Sequence, residues 1–108
     1  MSRVDVVNQI GDALTQIDTL LCKPDFSPSS PKWQQLFALR KHLDDQQREL
    51  VQEAFDEDSQ PFRDLADKLG VATAALRIIA DDISKLGAIL ETVASIASLV
   101  DKVLNLAL

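Results

Sequence analysis

The last third of the chain, residues 71–108, reads VATAALRIIADDISKLGAILETVASIASLVDKVLNLAL. Its apolar residues recur at alternating steps of three and four, at Leu76, Ile79, Ile83, Leu86, Leu90, Val93, Ala97, Val100 and Leu104. This spacing places one continuous apolar seam along a single face of a helix. A narrow line of small and polar residues follows the other face: Ser84, Ala88, Glu91, Ser95, Ser98, Lys102 and Asn105. The pattern predicts one long C-terminal helix over about residues 71–107.

The predicted C-terminal helix is longer than any other helix that this chain can form. At about 1.5 Å per residue it would extend about 50 Å or more, against about 30 Å and about 40 Å for the first two helices. The heptad phase continues through Gly87, which favours an unbroken helix. If Gly87 is instead a break, the two halves fold back on each other and cover their own apolar surface.

The rest of the chain reads as shorter helices separated by clear stop signals. Ser2 and Asp5 form a capping box before a helix over 3–22, and the loop KPDFSPSS follows at 23–30. Ser30 and Pro31 begin a helix over 31–56, and an acidic turn precedes a helix over 59–69, which Gly70 ends or bends. We therefore expect an all-α fold, an antiparallel helical bundle of three to four helices with a long C-terminal helix, as one domain over residues 1–108.

Composition narrows the classes of function. The chain has 108 residues, is 46% hydrophobic and 26% charged, and carries a formal charge of −6. Such an acidic chain repels phosphate backbones and anionic lipid headgroups at long range. Its one cysteine cannot form an internal disulfide, its start does not read as a signal peptide, and Glu91, Asp101 and Lys102 interrupt the C-terminal apolar run. These features predict a cytoplasmic protein without a transmembrane segment.

One acidic segment has the outline of an EF-hand calcium loop, formed by Asp56, Asp58, Gln60, Asp64 and Asp67. The sixth position of such a loop needs glycine for its sharp turn, but Pro61 stands there. The twelfth position should be a bidentate glutamate, but it is Asp67. An acidic turn between helices is therefore the favoured interpretation.

Residues 65–79, LADKLGVATAALRII, have the spacing of a helix-turn-helix with Gly70 and Val71 at the turn. A recognition helix should offer basic or amide side chains to base edges. This one offers mainly alanines and Arg77, followed by Asp81 and Asp82. Acidic helix-turn-helix DNA binding is therefore our third functional hypothesis, and nucleic acid is a disfavoured partner.

The residue types that carry catalysis are scarce in this sequence. His42 stands alone among charged residues and is expected to be solvated, while Cys22 has no nearby base and is expected to be a small buried hydrophobe. Trp33 is either an interface anchor or a core aromatic. No plausible set of nucleophile, base and orienting group is present, so we expect no enzyme, no bound metal and no cofactor.

The leading functional hypothesis is a non-catalytic protein–protein interaction or self-assembly module that uses the C-terminal helix in coiled-coil fashion. A homo-oligomer or a helical protein is the expected partner. The predicted contact residues are Leu86, Ile89, Leu90, Val93, Ile96, Val100 and Val103. The alternative is a membrane-active protein, either pore-forming or membrane-docking, because small residues in this helix permit close packing in a bilayer.

Overall fold

Four α-helices and one short 3₁₀ helix account for most of residues 2–105, which the computed structural model describes. The α-helices are α1 (Arg3–Leu21), α2 (Pro31–Gln52), α3 (Gln60–Ile79) and α4 (Leu86–Leu104), and the 3₁₀ helix Ile83–Lys85 leads directly into α4. The predicted all-α helical bundle is confirmed, and Ile83–Leu104 form a C-terminal helical segment of 22 residues.

Serine side chains begin three of the helices, as the local sequence predicts. Ser2 accepts a hydrogen bond from the Asp5 amide and the Asp5 carboxylate accepts one from the Ser2 amide, so the capping box is present. Ser30 caps α2 and Ser59 caps α3, each with a proline in the first turn. These side chains provide acceptors for amides that have no partner inside the helix.

The prediction of one helix over residues 71–107 is wrong. The chain leaves the helix after Ile79, and Oδ1 of Asp82 accepts hydrogen bonds from the Ser84 amide at 3.0 Å and the Ser84 hydroxyl at 2.6 Å. These bonds lower the pKa of the Asp82 carboxyl, since they stabilise its charged form. They begin the 3₁₀ helix, so the break precedes Gly87, which lies inside α4. The predicted end at residue 107 lies outside the described residues.

Two further boundaries differ from the prediction. Residues 71–79 extend α3 through Gly70 without interruption, so this helix is about twice as long as expected. Helix α2 ends at Gln52, not at residue 56. Phe55 then packs against Phe62 at 5.4 Å between ring centroids, and the Arg3 guanidinium lies 4.2 Å from the Phe55 ring centroid. Leaving the helix early thus lets Phe55 cover one end of the core.

The four helices form a ring in the order α1, α2, α4, α3. Helix α1 packs on α2 and α3, and α4 packs on the same two helices from the opposite side. Helices α1 and α2 run in opposite directions, because Asp18 pairs with Arg40 whereas Val7 contacts Gln47. Helices α2 and α4 run parallel, because Leu39 lies near Leu90 and Gln46 bonds Ala97. Helices α1 and α3 also run parallel, because Gly70 lies near Gln9 and Arg77 pairs with Asp12. The bundle measures 43 × 22 × 18 Å, which could not contain a helix of about 55 Å.

All four helices supply the core, and Phe26 of the first loop closes one end of it. The fully buried large side chains are Phe62, Ile10, Ile17, Leu20, Leu36, Leu43, Leu50, Leu65, Leu69, Leu76, Ile89 and Ile96. At the edge of the core, Arg40 donates two hydrogen bonds to Asp18 at 2.9 and 3.1 Å, which raises the pKa of the arginine. Because almost all buried side chains are apolar, their burial is the main stabilising term in this fold.

Candidate functional site

The predicted contact residues of the C-terminal helix lie mostly inside the bundle. Leu86, Ile89, Val93, Ile96, Val100 and Val103 are buried, with exposed fractions between 0% and 6%, and only Leu90 is partly exposed. The reversal of the chain between α3 and α4 places the apolar seam against α2 and α3. This seam is therefore covered by its own chain, and its side chains are not available at the surface of the folded bundle.

The outward face of α4 consists mainly of small side chains. Ser84, Ala88, Glu91, Ser95, Ser98, Lys102 and Asn105 are all exposed, as the periodicity indicates, and Gly87 and Ala94 lie exposed beside them. Between Leu86 and Val100, Glu91 is the one charged residue on this helix. This part of the surface therefore carries little charge.

The two most exposed large aliphatic side chains of the described residues lie on α3. Ile78 is 82% exposed and Val71 is 73% exposed, and the exposed residues Ala74 and Ala75 lie between them in sequence. The spacing i, i+3, i+4, i+7 places these four residues on one face of the helix. We call them the α3 outer stripe. They lie opposite the buried residues Leu69, Thr73 and Leu76, so the second half of α3 is apolar on two faces.

Sequence reasoning missed the α3 outer stripe because it divided α3 at Gly70. Once 60–79 is one helix, Leu65, Leu69 and Leu76 define the buried face, and Val71 and Ile78 fall outside it. The same continuity removes the turn that a helix-turn-helix requires. The geometry on which the DNA-binding hypothesis depended is therefore absent from residues 65–79.

A shallow apolar groove lies between α2 and α4. Its volume is about 460 Å³, and it is lined by Gln35, Ala38, Leu39, Leu90, Glu91 and Ala94. Leu39 and Leu90 are partly buried and pack against the core, whereas the two alanines are exposed. The groove is where Leu90, the one incompletely buried member of the predicted contact set, reaches the surface.

A polar cluster crosses the same pair of helices further along. Gln46 is 2% exposed, and its Nε2 donates to the carbonyl oxygen of Ala97 at 3.0 Å and to Oδ1 of Asp101 at 2.6 Å. Its Oε1 is buried without a hydrogen-bond partner. Nε2 of His42 lies 3.6 Å from Oδ1 of Asp101, and both side chains are about half exposed. The cluster joins α2 to α4, and His42 is solvated as expected.

Trp33 and Cys22, which the sequence also singles out, lie near the two ends of the loop between α1 and α2. Nε1 of Trp33 donates to the carbonyl oxygen of Leu21 at 3.0 Å, and its ring stacks on Phe37 at 5.2 Å between centroids. Trp33 is partly buried and packs on the core, whereas Phe37 is 46% exposed. Cys22 is exposed at the end of α1, so the expectation of a buried cysteine is wrong.

The acidic turn before α3 is built by local hydrogen bonds. The Asp58 amide donates to Oδ1 of Asp56 at 2.8 Å, and Nε2 of Gln60 donates to Oδ1 of Asp64 at 2.8 Å. Because α3 begins at Gln60, Asp64 and Asp67 lie on a helix and not in a loop. Within residues 2–105, no three side chains of the types His, Cys, Asp and Glu form a group that could hold a metal ion.

The C-terminal helical segment has one property that the charge pattern did not predict. By length and composition, Ile83–Leu104 is long and apolar enough to cross a membrane, with a mean hydropathy of 1.5 in its most apolar part. The core helix of a soluble protein can have the same length and composition, so the absence of a transmembrane segment stays a prediction. Of that most apolar part, 33% is buried inside the bundle.

No family model, no characterised protein and no solved structure matches this chain.

Proposed function

We propose that this chain is a non-catalytic protein–protein interaction module that binds its partner through the α3 outer stripe. The observation that supports this proposal is the exposure of Val71 and Ile78, at 73% and 82%, on one face of one helix. Exposed aliphatic side chains that occur singly need no explanation, but four apolar residues in a helical stripe form a contiguous patch. The proposal keeps the predicted class of function and moves the contact surface from α4 to α3.

The chemistry of the α3 outer stripe suits a helical partner. Burying a valine or an isoleucine contributes about 1.5–3 kcal/mol relative to leaving it exposed. Alanines between the two larger side chains allow another helix to approach closely, since interaxial distances depend on the side chains at the contact. The small exposed residues of α4, such as Ala88 and Ser95, leave room for a partner on the neighbouring helix.

Site-specific photo-crosslinking in cells tests this role. A photoreactive phenylalanine analogue replaces Val71 or Ile78 in the full chain, and the matched control position is Asp45, an exposed residue of α2. Helix α2 lies diagonally across the ring from α3, so the control samples a different surface. We expect protein adducts from positions 71 and 78 and none from 45. The absence of adducts from both α3 positions, or equal yields at all three, would overturn the proposal.

Membrane binding by α4 is the second candidate function. The apolar length of Ile83–Leu104 favours it, as does the small-residue outward face with Glu91 as its one charge between Leu86 and Val100. Because the inner face of α4 is buried, insertion requires this helix to leave the bundle. Flotation with vesicles of zwitterionic phosphatidylcholine tests it, because anionic headgroups would repel this acidic chain. Protein in the floated fraction supports this role, and full recovery in the dense fraction rejects it.

A further inference from the structure

We propose that the hairpin of α3 and α4 opens at Asp82 into one continuous helix, so that two copies of this chain exchange their α4 helices. In the closed form described above, α4 packs on α2 and α3 of its own chain. In the exchanged dimer, α4 takes the same place on α2 and α3 of the second copy. This inference goes beyond the interaction role, because the α3 outer stripe takes no part in the exchange.

The break between α3 and α4 is short. Only Ala80, Asp81 and Asp82 separate α3 from the 3₁₀ helix that leads into α4. Ala80 (φ −63°, ψ −21°) and Leu86 (φ −56°, ψ −38°) keep helical dihedral angles, whereas Asp82 is extended at φ −113° and ψ 103°. A change of backbone angles at the few residues around Asp82 is therefore enough to join the two helices.

The apolar spacing runs through the break without a change of phase. Leu76, Ile79, Ile83, Leu86 and Leu90 follow one another at steps of three and four. A continuous helix over 60–104 would thus carry the apolar residues of α3 and α4 on one side. At about 1.5 Å per residue it would be about 67 Å long, so it would extend beyond the 43 Å length of one bundle into a second bundle.

The directions of the helices allow both copies to exchange at once. Helix α3 runs parallel to α1 and α4 runs parallel to α2, so α3 and α4 are antiparallel neighbours. Two continuous helices can therefore lie antiparallel about a two-fold axis at Asp82, with α3 of each copy beside α4 of the other. Both copies are then complete, as closed two-fold symmetry requires. The two bundles meet at the end where Lys23 lies 3.8 Å from Asp81.

The closed and exchanged forms bury the same apolar side chains, so local terms at the turn decide the balance. The closed form keeps the two bonds from Ser84 to Oδ1 of Asp82, at 3.0 and 2.6 Å, and avoids the entropy cost of association. The exchanged form gains the backbone hydrogen bonds of a continuous helix, and a short connection favours this kind of exchange. We therefore expect the dimer only at high chain concentration.

Interconversion of the two forms should be slow. Ile89, Val93 and Ile96 are 0% exposed, so α4 must leave the core before it can change partners. This opening has a free energy close to that of global unfolding. The two forms should therefore stay separate during size-exclusion chromatography.

Two substitutions at the turn should shift the balance in opposite directions. Asp82→Ala removes the acceptor of both bonds and introduces a strong helix former. Since each dimer contains two such turns, the association constant should rise about tenfold or more. Ile83→Pro fits the closed turn, because proline suits the first helical position and the residue before it prefers extended angles, which Asp82 already has. Proline inside a continuous helix is unfavourable, so Ile83→Pro should lower the association constant about tenfold or more.

Ile83→Ala is the matched control for Ile83→Pro. It removes the same partly buried side chain without restricting the backbone, so its dimer fraction should not fall below that of the wild type. Each variant is unfolded in urea and refolded at about 500 µM and at about 5 µM, and chromatography with light scattering then measures the dimer fraction. The absence of dimer from both the wild type and Asp82→Ala at the higher concentration overturns the proposal. A dimer fraction that Ile83→Pro leaves unchanged also overturns it.

An intrachain distance separates exchange from a dimer of closed chains. Arg63 and Lys102 are exposed and lie about equally far from Asp82 along the chain. Spin labels at these two positions lie on neighbouring helices of the closed form, within about 30 Å of each other. On a continuous helix they lie about 58 Å apart.

Pulsed electron resonance measures this distance on Arg63→Cys and Lys102→Cys together, in a chain that also carries Cys22→Ser. Excess unlabelled chain, added before refolding, restricts the measurement to pairs within one chain. We expect the long distance in the purified dimer and the short distance in the monomer. The short distance in both overturns the exchange, whatever the variants at the turn do.

Discussion

Ile89 and Ile78 should respond very differently to the same substitution, because one is buried and the other is exposed. Ile89 of α4 is 0% exposed and Ile78 of α3 is 82% exposed. Replacement by alanine removes three carbon atoms, which at about 0.8 kcal/mol for each buried group corresponds to about 2.4 kcal/mol. The cavity that remains at Ile89 adds to this loss, so we expect Ile89→Ala to lower the free energy of unfolding by about 3–4 kcal/mol.

Ile78→Ala is the matched control for this prediction. Its side chain is already in water, and alanine has the higher helix propensity, so the free energy of unfolding should stay within about 0.5 kcal/mol of the wild type. Urea and thermal unfolding, followed by helical circular dichroism, measure both variants. For a domain of this size, a loss of 3 kcal/mol lowers Tm by about 12 °C.

One result would refute the assignment of α4 to the core. If Ile89→Ala stays within about 1 kcal/mol of the wild type, its side chain is not enclosed by neighbouring helices. The apolar seam of α4 would then be free to bind a partner, as the sequence first predicts. A large loss at Ile78 instead would place the α3 outer stripe inside the fold.

Three further predictions follow from individual side chains. Gly70→Ala should stabilise the fold by about 0.5–1 kcal/mol in thermal unfolding, because a new Cβ meets nothing closer than 4.0 Å. Gly11→Ala places its Cβ 3.2 Å from Nε2 of Gln47 and should therefore stabilise the fold less. A lower Tm for Gly70→Ala would indicate a turn at residue 70. Gln46→Met removes a buried oxygen without a partner, but it also removes the two hydrogen bonds that Nε2 donates to Ala97 and Asp101, so the free energy of unfolding should fall by about 1–2 kcal/mol. A variant more stable than the wild type in urea unfolding would show that these two bonds do not hold α2 to α4. Hydrogen bonds from Ser84 lower the pKa of Asp82 in the folded state. The contribution of Asp82 to stability is therefore present above the unfolded pKa of about 3.9 and is lost as the pH falls through the folded pKa. Between about pH 5 and about pH 3 the urea midpoint should fall more steeply for the wild type than for Asp82→Asn, and parallel profiles would contradict this.

Local signals predicted most helix starts and failed at two positions. The Ser2, Ser30 and Ser59 caps are visible in the sequence because a cap depends on residues only three apart. The predictions at Gly70 and Asp82 were wrong because they also used only neighbouring residues: α3 continues through Gly70, and the helix breaks before Asp82. A glycine permits a turn without requiring one, and Asp82 with Ser84 is a start signal that the uninterrupted apolar spacing obscured. Local pattern therefore gave the helical segments but not how they join.

The candidate surface could not be predicted, because exposure is a property of the whole bundle. Val71 and Ile89 are both apolar residues in helices, and each has further apolar residues three or four positions along the chain. Only the reversal of the chain between α3 and α4 covers Ile89 with α2 and α3, while Val71 stays outside. The predicted contact residues are therefore mostly core, and the α3 outer stripe was missed.

The amino-acid sequence by itself determined the all-α class, the helix caps and the apolar faces, because each depends on residues within a few positions of one another. Only the tertiary structure decided which apolar face has a partner. Helix α3 carries two apolar faces, and the ring of four helices has room to bury one of them. The face that remains in water is formed by Val71, Ala74, Ala75 and Ile78, since burying both faces of a helix requires more neighbours than a bundle of this size provides.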